Sequence, residues 1–245
     1  MNIKNILNSS LVGLGLVGSS ITTATPVEQD LHQASYIQFK ANSEQGINLA
    51  DFLKNGATLV RETEPQTLFW FALQGEKGTF GIFDVFHDDA GRTAHFAGKV
   101  AAALHDSANT LINGGWDKGV VPNVQNSEIL STNSYKSEAV LKATKASYIV
   151  LKAKPGKEKE LETLLREAAH VVSKTEPGTS FWLALKLDNT TYAIFDTFAD
   201  EGARNAHFEG AVAGSLKNNA DHLIVGEWQQ GVLNNIHHFN ILASS

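Results

Sequence analysis

The chain has no cysteine among its 245 residues, which excludes a disulfide framework, a thiolate metal site, an iron–sulfur cluster and a cysteine nucleophile. The same absence leaves the redox compartment open. An excess of positive charge is also lacking: 20 Lys plus Arg stand against 26 Asp plus Glu, a net charge of −6. No basic block interrupts that balance, so no phosphate-tracking groove for nucleic acid is expected. No apolar run approaches the roughly 20 residues that a bilayer requires, so no membrane span is expected either. Metal signatures are missing, since there is no His-Glu-x-x-His motif and the adjacent His237 and His238 cannot easily point at one ion. Gly13-Leu14-Gly15 does not follow a strand, which rejects a dinucleotide fingerprint, and there is no serine-centred nucleophile elbow. What remains, 42% hydrophobic and 19% charged, is the composition of a folded soluble protein with one large domain or two ordinary ones.

Residues 1–25 read as a signal-like or disordered leader, with Lys4, an apolar run from Leu11 to Gly18, and small residues ahead of Pro26. On that reading a periplasmic or secreted location is favoured over a cytoplasmic one.

Comparison of the chain with itself is the most informative step. An ungapped shift of 112 carries Tyr36-Ile37 onto Tyr148-Ile149, Thr63-Glu64-Pro65 onto Thr175-Glu176-Pro177 and Ile82-Phe83-Asp84 onto Ile194-Phe195-Asp196. It also carries Ala94-His95-Phe96 onto Ala206-His207-Phe208 and Trp116 onto Trp228. About 40% of positions agree, so the chain is two copies of one unit, residues 36–131 and 148–243, joined by a linker at 132–147. Such copies are expected to pair about a pseudo-twofold axis.

Leu161, Leu164, Leu165, Ala168, Ala169 and Val172 fall at helical spacing, and Leu49, Phe52, Leu53, Gly56, Ala57 and Val60 repeat it in the first copy. Pro65 and Pro177 end those helices. Two runs rich in aromatic and β-branched residues, Thr67–Gln74 and Thr79–Phe86, read as a hairpin. Asp88 and Asp200 then cap a second helix. With a first strand at Tyr36–Ala41 and a last at Glu128–Ser131 (Ile236–Ala243 in the second copy), each unit is βαββαβ, the ferredoxin-like order. Phe69-Trp70-Phe71-Ala72-Leu73 is apolar on both parities, so both faces of its sheet must be covered. One face meets the unit's own helices and the other the second copy, which gives an α+β fold closed as a two-sheet barrel within one chain.

Glu176-Pro177-Gly178-Thr179 ahead of a strand, the run Ile194 to Glu201, and Ala206-His207 on the next helix resemble the antibiotic biosynthesis monooxygenase domain family, in particular its quinol monooxygenase-like members. The acid followed eleven positions later by His (Asp84 to His95, Asp196 to His207) is the most specific part, and the first copy departs in having Gln66 for the glycine. The resemblance covers both copies almost end to end. It implies a dimeric α+β barrel in tandem form, and cofactor-free oxygenation of a small aromatic or quinol substrate with O2. Such a substrate supplies its own electrons once deprotonated, so an apolar pocket and a base of suitable pKa suffice.

Among nine histidines only His95 and His207 are related by the repeat, and imidazole is the natural base near neutrality. Projected on one unbroken helix, His95 falls opposite Phe96, Val100, Leu104 and Leu111, in water, unless Gly98 and Gly210 break the helix there. Asp84 and Asp196 point toward an apolar environment and need partners: Arg92 and Arg204 could close ion pairs, or the acids could orient the histidines. Trp70 and Trp182 are core or line a barrel interior where an aromatic substrate stacks, and the loop residues Trp116 and Trp228 close a pocket or staple the copies together. Two other readings stand beside the oxygenase. One is a non-catalytic binding or stress-related barrel, which asymmetries such as His105 against Lys217 permit. The other is haem binding through His105, against which Lys217 and the histidine that stands in place of the family's Trp both count.

Overall fold

A computed structural model describes residues 30–245. The leader at 1–25 lies outside the described residues. The first half runs β1 (Gln33–Lys40), α1 (Gly46–Thr63), β2 (Thr67–Gln74), β3 (Thr79–Phe86), α2 (Asp89–Phe96), α3 (Lys99–Leu111) and β4 (Val124–Thr132). After a short helix α4 (Ser137–Leu141), the second half repeats that order. Its elements are β5 (Lys145–Lys152), α5 (Glu158–Thr175), β6 (Thr179–Lys186), β7 (Thr191–Phe198), α6 (Glu201–Phe208), α7 (Ala211–Leu223) and β8 (Ile236–Ser244). Among the described residues no helix is long and apolar enough to cross a membrane.

All eight strands close into one antiparallel barrel in the order β1-β3-β2-β8-β5-β7-β6-β4. Each half contributes four strands, and two seams join the halves, β2 to β8 and β4 to β6. Closure removes the edges that two open four-stranded sheets would expose. The double-sided apolar strands now have their reason. Phe69, Phe71, Phe83 and Val85 point into the barrel, where they meet Phe181, Leu183 and Phe195 of the other half. Trp70, Ala72, Phe80 and Ile82 point outward, beneath α1 and α3. The barrel interior is packed shut: Phe83 stacks on Phe195 with ring centroids 3.6 Å apart, and Tyr36 stacks on Tyr148 at 3.9 Å. Tyr135, between the halves, packs edge-on against Phe181 at 4.9 Å and adds to that filling.

The hairpin β2–β3 has the expected bounds, while β1 and β5 each start three residues earlier, at Gln33 and Lys145. The second helical stretch is two helices, with α2 ending at Phe96 and α3 starting at Lys99, and α6 and α7 divide in the same way around Gly210. Asp88 and Asp200 cap α2 and α6, accepting the Gly91 and Ala203 backbone N–H groups at 2.8 Å.

Candidate active site

The break between α2 and α3 decides where the histidine goes. With the helix axis redirected at Gly98, His95 turns under the element and is 5% exposed, while its neighbour Phe96 is 37% exposed. The unbroken projection had them the other way round. His207 is buried in the same manner.

His95 sits between two carboxylates. Its Nδ1 lies 2.6 Å from Glu64 Oε2, and its Nε2 lies 3.5 Å from Asp84 Oδ2. The second half repeats the arrangement, with Glu176 Oε2 at 2.5 Å from His207 Nδ1 and Asp196 Oδ2 at 3.2 Å from Nε2. Glu64 reaches the site because Pro65 follows it: the residue before a proline is driven out of helical geometry, and Glu64 leaves α1 at φ −130° and ψ 67°. Its other oxygen, Oε1, accepts the Val100 N–H at 3.0 Å and so satisfies a free donor in the first turn of α3. One carboxylate thus binds the end of α1, the start of α3 and the histidine together. The Thr67 hydroxyl lies 3.2 Å from the same Nδ1.

Burial alone would lower the pKa of the His95 imidazole, but Asp84 and Glu64 outweigh it and hold the ring at about 10. Burial likewise opposes the charge on His207, and Asp196 and Glu176 again raise it to about 10. With a pKa of about 10, both rings are imidazolium at neutral pH. Burial pushes the Asp84 carboxyl up against the pull of His95. It acts the same way on Glu64, where the hydrogen bonds from His95 and the Val100 N–H prevail and bring the pKa below its usual range. Asp84 is fully buried and neither of its oxygens has a hydrogen bond, so its ion pair with His95 is loosely directed.

A cavity of about 270 Å³ opens beside this group in the first half. Asp84, His95 and Asn126 are its polar lining, while Ile37, Ile82, Val100, Leu104, Trp116 and Val120 make the rest largely apolar. Trp70 also lines it, and the Trp70 indole N–H has no hydrogen-bond partner. The cavity lies outside the barrel wall, beneath α2 and α3. Trp70 and Trp182 point outward to the helices and not into the barrel, because Phe69, Phe71 and their counterparts occupy the inward parity.

Arg92 and Arg204 do not pair with Asp84 and Asp196. Arg92 bridges Asp89 and the Gln33 side chain, and Arg204 binds Glu201, because each arginine lies one helical turn from an acid on its own exposed helix face. Trp116 lines the cavity from the π-helical turn at 115–120 and stacks edge-on with His105 at 5.0 Å; Trp228 packs against the second-half core. His105 itself is exposed and faces Asp106. Glu64 and Glu176 are the residues that sequence reasoning passed over, although both stand in the matched Thr-Glu-Pro tripeptide. Among the described residues, no group of three His, Asp or Glu side chains could hold a metal ion.

No known family profile matches the chain, and no curated protein does. Solved structures do. A candidate monooxygenase from Fusobacterium nucleatum superposes with a TM-score of 0.71 at 13% identity, covering 88% of this chain and 94% of its own. A second, from Lactobacillus acidophilus, gives 0.69 at 10% identity over 88% and 96% of the two chains. An anthrone oxidase-like protein gives 0.57 at 11% identity over 87% and 92%. At these identities the likeness is one of fold. What they share with this chain is the fold, two ferredoxin-like units closed into a single barrel.

Proposed function

We propose that the protein is a cofactor-independent monooxygenase that oxidises a small aromatic or quinol substrate with O2 in the first-half cavity. The observation that carries this reading is that Asp84, a buried carboxylate without a hydrogen bond like its counterpart Asp196, stands on the wall of a mostly apolar cavity next to a fixed cation. Buried polar groups without partners are rare and point to a missing one, here an O–H donor. A phenolic hydroxyl entering the cavity donates to Asp84, whose raised pKa makes it a stronger base than an exposed carboxylate. Once the proton has moved, the His95 imidazolium stabilises the substrate anion in a site where few water dipoles compete. The anion supplies the electrons: one atom of O2 enters the ring carbon and the other leaves as water with two hydrogens from the substrate. Trp70 offers its indole N–H to an oxygen of the substrate or of the reduced dioxygen. In this scheme Asp84 is the base, His95 the charge stabiliser and Glu64 the group that positions His95.

Oxygen uptake with a panel of quinols and anthrones tests the reading. Asp84→Asn is expected to abolish uptake while leaving the fold intact by circular dichroism. Uptake unchanged in Asp84→Asn rules out this site. Binding without any uptake in the wild type points instead to a non-catalytic barrel for small ligands.

A further inference from the structure

We infer that the chain carries one working ligand cavity, in its first half, and that the second half keeps the charged triad while its side chains fill the equivalent space. This rests on the function proposed above and adds a site count and a determinant to it. The repeat shift pairs every residue lining the first-half cavity with one in the second half, and only three of those pairs differ. Val121 corresponds to Leu233, Val124 to Ile236 and Asn126 to His238. Each change enlarges the side chain, two by a methylene and one by an imidazole in place of a carboxamide. Random drift would be expected to shrink some of them.

The contacts of His238 agree with this. The His238 ring meets the Phe208 ring edge-on at 5.1 Å, and its Nδ1 lies 3.0 Å from the Ser147 hydroxyl. Phe208 packs against the second-half core, and Ile236 packs there as Val124 does in the first half. Phe96, the counterpart of Phe208, is not among the side chains packed on the first-half core and stands at the cavity mouth. Asn126 is held by the equivalent serine: its Oδ1 accepts the Ser35 hydroxyl at 2.8 Å, which leaves its amide N–H groups for a ligand oxygen, donors that the His238 ring does not offer in the same place. A compact aromatic with two oxygens satisfies both ends, one hydroxyl donating to Asp84 and a second oxygen accepting from Asn126. In the second half the His238 ring stands at the corresponding rim.

Isothermal titration calorimetry with 1,4-dihydroxynaphthalene under nitrogen, combined with proton–nitrogen spectra of the four tryptophan indoles, tests this. One molecule per chain is expected, with the Trp116 signal moving and the Trp228 signal still. Asn126→His should weaken binding at least tenfold. The triple change Leu233→Val, Ile236→Val, His238→Asn should raise the stoichiometry to two and make Trp228 respond. Two molecules per wild-type chain, or a shift of Trp228 in the wild type, would overturn the inference and leave the proposed function standing. A triple variant that folds and still binds one molecule would overturn it as well. No binding to the wild type at all would overturn both.

Discussion

A cation held between two buried carboxylates is costly to assemble and more costly to break. Removing His95 leaves Glu64 and Asp84 facing each other without compensation, so His95→Ala is expected to cost about 3–5 kcal/mol, the usual penalty for orphaning a buried charge. His95→Ala thus tests stability, and Asp84→Asn is the cleaner probe of chemistry. The same group sets a pH dependence. A histidine whose folded pKa lies near 10, against 6.5 when unfolded, stabilises the native state fully below pH 6.5, and that stability is lost as pH rises toward 10. Thermal unfolding followed by circular dichroism should therefore show a midpoint that falls between pH 6.5 and 10. The fall should be halved in His95→Asn, because His207 still contributes; a midpoint indifferent to pH over that range in the wild type would contradict the charged triad. The sequence made the histidines and Asp84 visible through the repeat, but not their charge state. Glu64 lies 31 positions before His95, and only the fold brings the two together. A stronger signal was available in the acid that both copies keep directly before proline.

At the scale of elements, nearly every strand and helix was legible, because the apolar pattern of each is strong and each copy supports the other. Apart from β4, which begins at Val124 and not at the expected Glu128, the exception was the helix that carries the histidine. Its apolar pattern continues across Gly98, so periodicity alone joins α2 to α3, and only the glycine hinted otherwise. Space at this position, and not backbone freedom, requires the glycine. Its φ is an ordinary −83°, but a β-carbon there would stand 2.5 Å from Glu64 Oε1 and 2.9 Å from the His95 carbonyl oxygen. Gly98→Ala should thus displace Glu64, uncap α3 and destabilise the protein by about 1–3 kcal/mol. Gly214 supplies the control. It lies inside α7, where an added β-carbon would meet nothing within 4 Å, so Gly214→Ala should stabilise by about 1 kcal/mol through helix propensity alone. Equal effects of the two substitutions in urea unfolding would show that Gly98 has no special place in the site.

For the whole molecule, covalent linkage joins two halves whose contacts are largely self-complementary. Ring pairs across the interior join residues related by the repeat: Tyr36 stacks on Tyr148, Phe83 on Phe195, and Phe69 packs tilted against Phe181 at 5.2 Å. Contacts of that kind lie about a pseudo-twofold axis, as at the interface of a homodimer. The sequence already required a second sheet to cover the apolar inner faces, but the dense filling of the barrel, which moves the cavity outside its wall, depended on how the rings interdigitate. Where the halves differ, the differences complement each other. Phe71 corresponds to Leu183, and Val85 to Thr197, whose buried hydroxyl lacks a hydrogen bond. Two first halves would crowd a second Phe71 into the layer around Phe83, and two second halves would bury two unpartnered hydroxyls, each costing about 1–3 kcal/mol. Residues 30–134 and 135–245 produced together as separate chains should therefore assemble one to one, with the β2–β8 and β4–β6 seams intact, in preference to either homodimer. Native mass spectrometry distinguishes the three species. A statistical mixture would show that the two inner faces have not specialised, and halves that stay monomeric would show that the seams need the covalent join.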